Sequence, residues 1–87
     1  MRTGKLKIDR TSDGKCFIHF IPLSGGGALP RPYESADEMG ITQVLLDLGL
    51  GKTEIQKLIN TVQASGVAES GEVWISKDQI QKYWGQT

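Results

Sequence analysis

Polar and apolar residues alternate at the start of the chain. Lys5-Leu6-Lys7-Ile8-Asp9 has the two-residue period of a strand with one buried face. Thr11-Ser12-Asp13-Gly14 follows, and Asp-Gly between two strand-like runs predicts a hairpin turn, because both residues tolerate positive φ. Cys16 to Ile21 then predicts a second strand, apolar on both faces and so covered on both, ended by Pro22. Ser24-Gly25-Gly26-Gly27 and Leu29-Pro30-Arg31-Pro32 are glycine-rich and proline-extended, which predicts a mobile linker over 22–32.

Beyond the linker the period becomes helical. Ser35 and Glu38 have capping-box spacing, and Ile41, Val44, Leu45 and Leu48 form one apolar stripe, with Gly40 expected to bend its start. Leu48-Gly49-Leu50-Gly51 predicts a turn. Thr53 and Gln56 repeat the capping spacing before a stripe of Ile55, Leu58, Ile59 and Val62, which Gly66 is placed to close in a left-handed conformation. Val73-Trp74-Ile75 predicts a short strand after Gly71. Ser76 with Gln79 opens a last helix carrying Ile80, Tyr83 and Trp84, ended by Gly85. The expected order is β-β-linker-α-α-β-α.

This is the pattern of a single small α+β domain over 1–87: a hairpin at 1–21, a linker at 22–32 and a mainly helical body at 33–87. Hydrophobic residues make up 38% and charged residues 23%, a globular composition. No apolar run approaches the roughly 18–20 residues that cross a bilayer, so no membrane is expected. Residues 1–5 lead into alternation and not into the apolar stretch of a signal peptide. With Cys16 the only cysteine, no internal disulfide can form, which points to the cytoplasm.

Candidate chemistry is sparse. Cys16 and His19 have C-x-x-H spacing, but three residues apart on a strand they face opposite sides, and the chain holds no other Cys or His to complete a zinc site. The same geometry argues against a Cys–His nucleophile pair. Gly49-Leu50-Gly51-Lys52-Thr53 imitates the end of a phosphate-binding loop, but Leu46 stands where that loop requires its first glycine. The acids Asp37, Glu38, Asp47, Glu54, Glu69, Glu72 and Asp78 are spread over helix starts and turns, where carboxylates complement the positive helix end. No acid–base couple stands out, so the chain is read as not an enzyme, with no cofactor and no metal.

Val44, Leu48, Leu50, Ile55 and Leu58, with Gly49 in the turn, follow the spacing i, i+4, i+6, i+11, i+14. This arrangement resembles the helix-turn-helix of DNA-binding proteins. Residues 62–76 are similar to the end of a recognition helix followed by a wing strand, so the resemblance to a winged helix-turn-helix domain covers about residues 41–84. It implies a winged-helix-like body that binds double-stranded DNA as a sequence reader or transcription accessory. Lys52, Thr53, Gln56, Lys57 and Asn60 would then meet phosphates and base edges.

Charge keeps a second reading open. Residues 1–23 hold five bases against two acids, and residues 24–87 hold five bases against eight, so the front is +3 and the rest −3. Phosphate contact depends on cations, which makes Lys5 and Lys7, on the polar face of the first strand, the expected electrostatic grip for DNA. If these lysines merely solvate an edge strand, the module suits a protein partner or a homodimer as an adaptor. Trp74, Tyr83 and Trp84 would then be anchor candidates, unless they bury the last helix. A third reading has the basic hairpin pairing along a partner's sheet edge.

Overall fold

The computed structural model describes residues 2–23 and 31–85, with the backbone alone described at Arg2. The elements run β1 (Arg2–Arg10), β2 (Cys16–Pro22), β3 (Tyr33–Ser35), α1 (Glu38–Asp47), α2 (Lys52–Ser65), β4 (Val67–Ile75) and α3 (Lys77–Trp84). The strands form one antiparallel sheet in the order β3-β2-β1-β4. The result is a small α+β fold, a four-stranded sheet with three helices among the described residues.

The hairpin forms as its sequence directs. Gly14 takes φ +92° in the turn, and the amide of Thr11 donates to the Lys15 carbonyl at 2.9 Å. β1, however, is not an edge. It pairs with β2 from Gly4↔Pro22 to Arg10↔Cys16 and with β4 from Arg2↔Ile75 to Asp9↔Val67. The hairpin and the helical body therefore share one sheet. β3 was not expected: Tyr33 and Ser35 pair with Ile18 and Cys16 directly after Pro32. The linker expected over 22–32 overlaps β2 at Pro22, and its mobile stretch at 24–29 lies outside the described residues.

Alternation then sorts the side chains. Leu6, Ile8, Cys16, Ile18, Phe20, Ala68 and Ile75 are buried on one face, in one cluster with Ile41, Val44, Leu45, Leu48, Leu50, Ile55, Leu58, Val62 and Trp84 from the helices. The opposite face carries Lys5, Lys7, Asp9, Phe17, His19, Ile21, Glu69, Glu72 and Trp74, all half-buried or exposed. β2 is thus covered on one face only, contrary to the reading of its apolar run. Helices cover the other face, and the open one is left to the charges of β1 and β4.

Two helix starts differ from expectation. α1 is capped by Asp37, whose carboxylate accepts from the Gly40 amide at 2.9 Å. Ser35 instead ends β3 and donates its hydroxyl to the Asp37 carbonyl at 2.8 Å. α2 begins after Gly51 with no side-chain cap, while Gln56 bonds Asn60. The other boundaries follow the sequence reading. Ser76 caps α3 by accepting from the Gln79 amide at 3.2 Å, and Gly66 closes α2 at φ +84°.

β4 is longer than the three residues expected, and it carries a bulge. Between Lys5↔Glu72 and Lys7↔Glu69, Ser70 and Gly71 oppose the single residue Leu6. The Leu6 amide, which loses its ladder partner there, donates to the Ser70 hydroxyl at 2.9 Å.

α3 folds back over the sheet. Trp84, 3% exposed, donates its indole N–H to the Ile18 carbonyl at 2.9 Å and stacks on Phe20 with ring centroids 5.7 Å apart. Tyr83 meets Tyr33 edge-on at 5.3 Å. Asp47, at the end of α1, accepts from Lys82 at 3.2 Å and from the Tyr83 hydroxyl, which fastens α3 to α1.

Candidate functional site

The α1–α2 corner is built by the residues whose spacing marked it. Leu48 and Leu50 are buried on either side of Gly49, whose φ of +95° is open to glycine at little cost. The Gly49 amide donates to the Leu46 carbonyl at 3.0 Å and the Leu50 amide to Leu45 at 3.1 Å, so the last turn of α1 closes without free carbonyls at these positions. Val44, Ile55 and Leu58 are buried where the pattern places them.

Lys52, Thr53, Gln56, Lys57 and Asn60 are all exposed on α2. The structure therefore brings these five together. Gln56 donates to Asn60 at 2.9 Å, so part of their hydrogen-bonding capacity is turned toward each other. Lys5 and Lys7 do not join them. They stand on the open face of the sheet, whereas α2 packs on the other, which puts the two groups on opposite sides of the molecule.

The basic front of the sequence does not survive as a basic patch. Lys5 and Lys7 lie at register positions opposite Glu72 and Glu69, an arrangement that favours cross-strand attraction. Arg10 pairs with Glu38 at 3.5 Å, and Lys15 with Glu34 at 3.4 Å. His19 meets Asp9 at 2.9 Å. The acidic body folds onto the basic hairpin, so charges separated along the chain are mixed in space.

A feature that the sequence reading missed lies on the outer side of the corner. Thr42 and Leu46 of α1 and Lys52, Ile55, Gln56 and Ile59 of α2 line an open cleft of about 270 Å³. Spacings of i, i+4 on one helix and i, i+3, i+4, i+7 on the other put these side chains along facing ridges. Leu46 is 39% exposed, and Met39, 74% exposed, stands on the same side of α1 two turns earlier. The signal was present in the sequence. Met39 and Leu46 fall outside the α1 core stripe, and Ile59 widens the α2 stripe beyond what the sheet covers.

The structure sets the residues weighed for catalysis apart from one another. Cys16 is fully buried, and burial, then the Glu38 carboxylate, pushes its thiol pKa up, which keeps it protonated and unreactive. His19 faces the other side of the strand. No group of three or more His, Cys, Asp or Glu among the described residues could hold a metal ion. The phosphate-loop look-alike is the α1–α2 turn, entered from a helix and not from a strand. Tyr83 and Trp84 pack α3 down, while Trp74, 64% exposed, stands apart from them on the open face, so the three form no joint anchor.

No described helix is long and apolar enough to cross a membrane. No protein-family model, curated protein or solved structure matches the chain.

Proposed function

We propose that this chain is a non-enzymatic protein-binding module whose α1–α2 corner receives an amphipathic helix of a partner protein. The observation that carries this reading is the outer cleft, where exposed Leu46 and half-buried Ile59 flank the buried Ile55 between two helices that already rest on a shared core. Apolar side chains in such a place gain by being covered, at roughly 25 cal/mol for each Å² removed from water. Lys52 and Gln56 at the rim supply polar contacts of the kind that orient a bound helix. Selection from a display library of amphipathic helical peptides tests this. The expected binders compete for one site and lose affinity when Leu46→Asp or Ile59→Asp is introduced. Binders indifferent to both changes would count against the cleft.

The second reading is double-stranded DNA binding by the same corner as a winged helix-turn-helix module. It is favoured by the common exposure of Lys52, Thr53, Gln56, Lys57 and Asn60. It is weakened by Glu54 between them and by the distance of Lys5 and Lys7 from this face. Fluorescence anisotropy with a labelled duplex separates the two. DNA binding requires affinity that falls steeply with salt and drops on Lys52→Glu or Lys57→Glu. The protein-binding reading expects no measurable affinity at low salt.

A further inference from the structure

We infer that the outer edge of β4, at Glu72–Ile75, is a second docking site, which takes a short extended segment bearing arginine or lysine on alternate residues. Among the described residues β4 ends the sheet, and β1 bonds only one of its sides. Next to Glu72, Val73 and Trp74 a groove of about 320 Å³ runs between this edge and the α1–α2 turn, with Gly49, Gly51 and Glu54 on its far wall. An unpaired strand edge walled by a helical element is the geometry of strand addition. Main-chain hydrogen bonds give the affinity there, and alternate side chains give the choice of partner.

Charge selects the occupant. Glu54 and Glu72 are among the residues that line the groove, and none of those residues is basic. Lys5 stands opposite Glu72 on the inner side, at the β1 register position, and leaves the outer side to a partner. On an added strand, side chains on the open face become cross-strand neighbours of Glu72 and Trp74. A cation there meets both a carboxylate and the face of an indole that is 64% exposed. Residues on the alternate face turn into the groove toward the α1–α2 turn, whose glycines Gly49 and Gly51 leave room and whose exposed lining is mainly polar, so small or polar side chains fit there.

A second copy of the chain is the poorer occupant. Antiparallel pairing of two β4 edges around the bulge would bring Glu69 and Glu72 of one copy toward Glu72 and Glu69 of the other, and like charges directly opposite are destabilising. The bulge at Ser70–Gly71 also bends the edge and keeps any pairing short.

The probe is a fluorescent peptide of alternating arginine and threonine, about six residues long, read by anisotropy against the full chain at low salt. A control of equal charge carries proline at a central threonine, which removes a main-chain donor. Saturable binding is expected, weakened about fivefold or more by Glu72→Lys and by Trp74→Ala. The proline peptide should bind far more weakly, and Leu46→Asp should change nothing, which separates this site from the corner cleft. Because Glu72 and Trp74 are exposed, circular dichroism should record an unchanged fold in both variants. Equal binding of the proline peptide would reduce the effect to charge attraction and overturn strand addition. No binding, or sedimentation that finds β4-dependent dimers, would also overturn it.

Discussion

At the scale of single residues, small groups hold the junctions between elements. The Asp47 carboxyl sits below its ordinary value of 3.8, first because the Tyr83 hydroxyl donates to it and then because Lys82 does. Folding therefore favours the ionised form. Its contribution is present above pH 3.8 and is lost as pH falls below that value through the lowered folded pKa. Thermal melts from pH 7 to 2 should find Asp47→Asn less stable than the parent at neutral pH, with the gap closing in acid. A constant gap would mean the carboxylate does not fasten α3. Ser70 acts differently, because it satisfies a main-chain amide at the bulge. Ser70→Ala should cost about 1–3 kcal/mol in urea denaturation, the penalty for a buried donor left unpaired. These roles were hard to read in advance. Ser35 looked like a helix cap by spacing, yet the strand partner that claims it, Cys16, is remote in sequence. Ser76 was legible because its partner Gln79 is local.

At the scale of elements, the legible parts were those with large apolar residues at regular spacing. The stripes of α1 and α2, the hairpin and α3 all followed from them. β4 was only partly legible, because its buried positions Ala68 and Ser70 are small. They are small where α2 packs on the strand, and small residues leave little trace in a hydrophobic pattern. The last helix depends on one large residue. Trp84 buries its ring against Phe20 and bonds Ile18, so Trp84→Ala should cost about 3–5 kcal/mol. That is a large share of the roughly 5–15 kcal/mol available to a whole domain. Chemical denaturation checks it, and a loss below about 1 kcal/mol would mean that α3 is held mainly by Asp47 and its partners. The candidate cleft was missed at this scale. The helical stripes were read only as core, and which part of a stripe the sheet leaves uncovered is a tertiary fact.

At the scale of the whole molecule, the sequence suggested a basic hairpin beside an acidic body, and the fold interleaves them. β1 lies between β2 and β4, with Lys5 and Lys7 facing Glu72 and Glu69. Reversing both lysines to glutamate should therefore lower stability by about 0.5–2 kcal/mol, less so in high salt. A urea midpoint unmoved by the double change would show that these charges are merely solvated. No strand-order argument was available from the sequence, because β1 and β4 are more than fifty residues apart and their pairing leaves no local mark.

The protein-binding corner is tested most directly by site-specific photo-crosslinking in cells that make the protein. A photoreactive side chain replaces Ile59 in the cleft, and the control replaces His19 on the open face of the sheet. The cleft reading predicts a discrete protein adduct from position 59 that is absent from position 19 and is lost when Leu46→Asp is added. Adducts to nucleic acid from position 59, or a protein adduct that survives Leu46→Asp, would contradict it.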